Sequence, residues 1–111
     1  KIKEVRKEFW TNVYVPGEEY DFNTELAKAL RLSDFIEIGE LIARDALMRE
    51  ESCGGHFREE YQTPDGEAKR NDEEFSFVSC WKYNGEGEEP TLLKEPLIYE
   101  FVQRQQRNYK E

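Results

Sequence analysis

The sequence predicts a mainly α chain, with long antiparallel helices followed by an irregular tail that carries a small β-hairpin. Three observations predict it. Ile2, Val5, Phe9 and Val13 recur three or four residues apart, the spacing of one helix face. A capped periodic run extends from Thr24 to about Ser52. Further on, Phe75, Phe77, Trp81 and Tyr83 fall on one side of an alternating stretch, with Ser76, Val78, Cys80 and Lys82 on the other. That is the period of a strand.

The first helix occupies roughly the first dozen residues, with Trp10 and Tyr14 adding aromatic area near its end. So short a helix is marginal alone, and its apolar stripe needs a partner. No capping residue precedes Ile2, and natural helices usually carry one, so the chain is expected to be a fragment cut from something longer. Pro16-Gly17 turns the chain, and Glu18, Glu19 and Asp21 are expected in a loop ahead of the second helix. Asn23 is suited to cap that helix, and Glu25 places a negative charge in its first turn, where the dipole favours it. Its charged positions are Glu25, Lys28, Arg31, Asp34, Glu37 and Glu40, each three residues after the last. Three residues advance about 300°, so the polar stripe drifts about 60° per step around the helix. Successive turns then bury different sides, and the helix is expected to leave apolar surface for another domain or a further helix to cover.

The double glycine is expected to end this second helix, since Gly54 or Gly55 suits the left-handed position past a helix end. Behind it stands a polar cluster that local structure does not require. The run Arg49, Glu51, Ser52, Gly54, His56, Arg58, Glu60, Tyr61 follows the pattern R-x-E-S-x-G-x-H-x-R-x-D/E-Y. It resembles the signature in the C-terminal helical domain of fumarate reductase and succinate dehydrogenase flavoprotein subunits. Two positions depart from the commonest form: Cys53 replaces an arginine, with any ion pair it would make, and Gly55 replaces an alanine. The resemblance implies a fragment of a spectrin-repeat-like bundle of long antiparallel helices, followed by an irregular tail. It further implies a parent subunit that interconverts fumarate and succinate. That parent would hold FAD and contact an iron–sulfur subunit. Through a membrane-anchor subunit it would sit on the cytoplasmic, inner face of the cell membrane. The family's dicarboxylate-binding histidines and proton-shuttling arginine lie in its flavin-binding and capping domains, whose motifs are absent from this sequence.

Residues 62–74 are polar, with Pro64-Asp65-Gly66 as a turn signal, and are expected as a surface loop. Asn84-Gly85 breaks the aromatic strand, and Thr91-Leu92-Leu93 can return as its hairpin partner, with Pro96 confining that strand to an edge or ending it. A further apolar segment, residues 97–102, precedes a polar tail ending Gln106-Arg107-Asn108-Tyr109-Lys110. The aromatic strand and the terminal Arg-x-Tyr are also similar to the family. The organisation expected is one C-terminal domain over residues 1–111, with helices to 53, motif and loop over 54–74, and hairpin and tail from 75.

At 111 residues the chain holds one modest core at most. A net charge of −9 argues against nucleic acid or anionic lipid as partner. No apolar run approaches the roughly 20 residues of a membrane span. Cys53 and Cys80 are far apart, and with one histidine they do not supply the ligands of a zinc or iron–sulfur site. Two reduced thiols are expected. Cys53 is expected at a helix end, where the negative end of the dipole disfavours a reactive thiolate.

His56 is the candidate acid or base, but it is expected to anchor a loop by one hydrogen bond. Arg58 with Glu59 or Glu60 is expected to form an ion pair at the surface or between domains. The Gly-Gly-His run lacks the spacing of a dinucleotide loop and follows a helix instead of opening one. The residues therefore predict no catalytic, cofactor or metal site in this chain. Its expected role is structural: it packs on the flavin-binding domain and presents the motif Ser52, Gly54, His56, Arg58, Glu60 and Tyr61 at an interface. The C-terminal domain of L-aspartate oxidase shares much of this signature, and a free-standing helical adaptor would expose a similar apolar face.

Overall fold

A computed structural model of the chain describes residues 1–17 and 22–106. The acidic loop at Glu18, Glu19 and Asp21 and the terminal run from Arg107 lie outside the described residues. The chain divides into two compact units, Lys1–Arg44 and Asp45–Glu111.

In the first unit, α1 spans Ile2–Asn12 and is followed by the start of α2, which spans Thr24–Met48. Asn23 caps α2 as its sequence predicts: its Oδ1 accepts from the Glu25 and Leu26 N–H groups, both at 3.0 Å. Its Nδ2 donates to Pro16 O at 2.8 Å, which ties the cap to the turn before it. The two helices are joined by charge. Arg6 pairs with Glu37 at 2.7 Å and with Glu40, and Lys3 stands 4.0 Å from Glu40. Residues 3 and 6 meeting 40 and 37 gives an antiparallel register. Neither helix contains a buried residue. Phe35, Ile38 and Ile42 are 66%, 54% and 64% exposed.

The expected spectrin-repeat-like bundle is therefore corrected. Among the described residues there is one long helix, a shorter α1, a single helical turn α3 (Asp72–Phe75) and a two-stranded sheet. A bundle needs a continuous apolar seam between helices. Here Arg6, Glu37 and Glu40 occupy that position, because the charged residues of α2 drift around its axis and hold no fixed face.

The second unit starts with the last turn of α2 and continues through three small hairpin-like layers. Cys53 and His56 exchange backbone hydrogen bonds of 2.8 and 3.1 Å around Gly54-Gly55. Gln62 and Ala68 bridge around Pro64-Asp65-Gly66, with Gly66 N–H donating to Thr63 O at 2.8 Å. This stretch, expected as a loop, is thus a closed turn. The third layer is the predicted hairpin: β1 (Phe77–Lys82) pairs antiparallel with β2 (Thr91–Pro96), register Phe77↔Pro96 to Lys82↔Thr91. Phe75, expected in the strand, belongs to α3 instead. The Asn71 side chain accepts from the Glu74 N–H and caps that turn. Among the described residues the buried apolar side chains are Phe75 and Phe77.

Candidate functional site

The signature residues do come together, around the C-terminal end of α2. The helix stops at Met48, earlier than the double glycine predicts. Its final carbonyls have no intrahelical donors, and side chains from beyond the glycines supply them. Arg58 Nη1 donates to Leu47 O and to Arg49 O, each at 3.2 Å. His56 Nε2 lies 3.1 Å from Arg49 O, and since a carbonyl only accepts, that nitrogen carries the proton. A cation and an imidazole N–H at a helix C-terminus also meet the negative end of its dipole.

The glycines make this return possible. Gly54 has φ of 58°, the left-handed value that a tight two-residue hairpin needs at its first central position. It is a hairpin residue, not the helix cap the sequence suggests. Cys53 likewise lies beyond the helix, with its thiol free and exposed.

Ser52 is fully buried and locks the returning strand. Its Oγ accepts from the Arg58 N–H at 2.8 Å and donates to Arg58 O at 3.2 Å. The Ser52 N–H donates to Lys69 O at 2.9 Å, which adds the next layer. Arg58 is oriented in turn by Glu60, with Nε–Oε1 at 2.9 Å and Nη2–Oε1 at 2.5 Å, and its guanidinium lies 4.9 Å from the Tyr61 ring centre. The hydrogen bond to Glu60 holds the Arg58 pKa above its ordinary value. Glu60 is pulled below the usual carboxylate range, first by its own backbone N–H and then by Arg58. The sequence leaves Glu59 and Glu60 open as the partner; the side-chain pairing is with Glu60.

Two residues quoted in the signature but not singled out as site residues turn out to be central. Arg49 donates through Nη1 to Phe75 O and Glu51 Oε1, both 2.9 Å, and through Nη2 to Phe77 O at 3.3 Å. Its guanidinium stands 5.7 and 5.0 Å from the Phe75 and Phe77 ring centres. Glu51 is 3% exposed, and its second oxygen accepts the Asn71 N–H at 2.9 Å. The available signal was the Phe-x-Phe pair that follows a capped acidic turn, which offers ring faces and carbonyls to a buried arginine. Asp45, in the last turn of α2, accepts from Trp81 Nε1 at 3.2 Å and so ties β1 to the helix end.

As chemistry, this arrangement is a clasp. The donors of Arg49, His56 and Arg58 point at backbone carbonyls and carboxylates of the same unit. Gly54-Gly55 turns a hairpin and opens no helix, and the free N–H groups at the start of α2 are taken by Asn23. No group of three or more metal-ligating side chains converges among the described residues. No helix among them is long and apolar enough to cross a membrane.

A helix end clasped by a Gly–His–Arg return and followed by a two-stranded hairpin defines the module, and comparison identifies its family. The chain belongs to the family described as fumarate reductase flavoprotein C-terminal, whose model matches residues 1–109. It is also similar to one of the subunits of fumarate reductase (CoM/CoB) from Methanothermobacter marburgensis, with 42% identity over 50 residues. That alignment takes in 45% of this chain and 9% of the relative, so the chain spans a small part of the curated relative's length. No solved structure matches the chain.

Proposed function

We propose that this chain is the C-terminal structural domain of a fumarate reductase or succinate dehydrogenase flavoprotein subunit. The whole subunit would bind FAD in a separate domain and interconvert fumarate and succinate. It would exchange electrons with an iron–sulfur subunit and be held at the inner face of the membrane by an anchor subunit. The observation that carries this reading is the family match over residues 1–109, joined to a signature whose polar groups are engaged in holding the domain together. The similarity to a fumarate reductase subunit favours this reading over an L-aspartate oxidase or a free-standing adaptor.

Within the subunit, Ser52, Gly54, His56, Arg58, Glu60 and Tyr61 would fix the angle at which the chain leaves α2. The domain would then present a fixed face to the flavin-binding domain. The test is to purify the intact subunit that carries this chain. Bound flavin and reduction of fumarate by a reduced dye are expected. A subunit with flavin that oxidises L-aspartate and leaves fumarate and succinate unchanged would establish the oxidase instead. One without flavin would end the proposal.

A further inference from the structure

An Asn-Gly pair usually forms the turn of a two-residue hairpin. Asn84-Gly85 does not: Lys82 pairs with Thr91, so residues 83–90 all lie between the strands. Asn84 instead closes that loop with its side chain. Its Nδ2 donates to Glu89 O and to Thr91 Oγ1, both at 2.8 Å, so both hydrogens of the amide are in use. Inside the loop the Glu88 N–H donates to Gly85 O at 3.3 Å. The closing residue is itself exposed to solvent.

The same pair is chemically reactive. The backbone nitrogen that follows an asparagine can attack its side-chain amide carbon, an intramolecular reaction that gains from proximity. Glycine favours it most, because no side chain shields the nitrogen and the backbone turns freely into the geometry of attack. Asn84 precedes glycine, whereas Asn12, Asn23, Asn71 and Asn108 precede valine, threonine, aspartate and tyrosine. Gly85 has φ of 125°, and among the described residues no backbone hydrogen bond holds its N–H back. Asp65-Gly66 is the comparable pair, but there the Gly66 N–H is held by Thr63 O at 2.8 Å. A carboxylate is also a poorer electrophile than an amide.

We infer that Asn84 is a site of spontaneous deamidation, and that the loop it closes sets the rate. The Gly85 nitrogen gives its proton to hydroxide and bonds to Asn84 Cγ. The Cγ–Nδ2 bond breaks, and the amide nitrogen takes a proton from solvent and leaves as ammonia. Water then opens the cyclic imide at either carbonyl, giving aspartate, or isoaspartate with the main chain rerouted through the side-chain carbon. The sum is one asparagine and one water converted to one acid and one ammonia, with no change in oxidation state. While Nδ2 is held by Glu89 O and Thr91 Oγ1 the side chain is drawn across the loop, so attack needs a local opening. Reaction makes that opening permanent. The new carboxylate has no hydrogen to offer Glu89 O, and it is repelled by Glu86, Glu88 and Glu89.

The experiment incubates the intact subunit that carries this chain at mildly alkaline pH and follows its peptides by mass spectrometry, with isoaspartate resolved from aspartate. Conversion of Asn84 to both acids is expected, with Asn12, Asn23 and Asn71 unchanged. Thr91→Val removes one of the two acceptors and should speed conversion about fivefold, the gain in open loop from one lost hydrogen bond. Trypsin should cut after Lys82 faster in the converted protein than in the fresh one. An amide that persists at Asn84 in the native subunit overturns the inference, whatever the urea-unfolded chain does. Aspartate formed without isoaspartate overturns the attack by Gly85. A Thr91→Val rate equal to the wild type overturns control by the loop, and unchanged cleavage after Lys82 overturns its release.

Discussion

Arg49 shows how much of this domain depends on single polar residues. It joins Glu51 to the carbonyls of Phe75 and Phe77 and lies against both of the buried aromatic rings. Arg49→Met would leave Glu51 buried with the Asn71 N–H as its remaining hydrogen bond, and losing one member of such a pair costs about 3 kcal/mol or more. Urea unfolding should show this, and adding Glu51→Gln should recover part of it. Arg49→Lys should recover little, because an ammonium cannot reproduce the planar fork. Gly54 and Gly55 separate a conformational requirement from a spatial one. Both have open space around the Cβ position, but Gly54 alone of the two has positive φ. Gly54→Ala should cost about 1 kcal/mol, and Gly55→Ala should stay within about 0.5 kcal/mol. Glu60 sets the pH response of the clasp. Its pKa is lower folded than unfolded, so its contribution is present above the ordinary carboxylate pKa and is lost as pH falls through the lowered value. Unfolding titrations from neutral to acid pH should show this loss, and Glu60→Gln should remove its share.

At the scale of elements, the sequence is informative where structure is local. Asn23 caps α2 through its own side chain, and alternation from Phe77 onward is enough to define a strand with Thr91 returning opposite Lys82. It misleads where distant groups decide. The end of α2 is set by Arg58 and His56, which come back to its carbonyls from seven to eleven residues along the chain. Nothing in residues 48–53 announces this, and the glycines invite a cap assignment that the hairpin has taken. Phe75 reads as strand because alternation does not register a four-residue helix capped by Asn71. The polar cluster itself is legible, but the parts that Arg49 and Glu51 play in it are not, since pairwise burial is invisible in one sequence. One element-level contact is simple to test. Trp81→Phe keeps an aromatic ring but removes the Nε1–H that Asp45 accepts, together with part of the ring area, so stability should fall by about 1 kcal/mol or more. A double-mutant cycle with Asp45→Ala should return a coupling of about that size. What Asp45→Ala still costs in the Trp81→Phe background reports its other partner, Arg49, whose Nε stands 3.8 Å from Asp45 Oδ2.

At the scale of the whole molecule, burial is unevenly distributed. Among the described residues the buried apolar side chains are Phe75 and Phe77, while long side chains of α2 and of residues 97–102 stand exposed. Within each of the two units, charge pairs and hydrogen bonds do more of the holding than an apolar core does. This decides how the signature should behave in the intact subunit. His56→Ala with Arg58→Ala would free the Leu47 and Arg49 carbonyls and one face of Ser52's partner strand. Hydrogen bonds to charged donors contribute about 1.5–3 kcal/mol, so the return from α2 should loosen while β1 and β2 stay paired. Proteolysis between Met48 and Ser52 should accelerate, and, on the proposed function, flavin-linked fumarate turnover should fall only as far as the clasped fraction falls. Turnover lost several-hundredfold in a subunit that resists proteolysis as the wild type does would place His56 or Arg58 in the chemistry. Equal losses of turnover and protection would keep them in the framework.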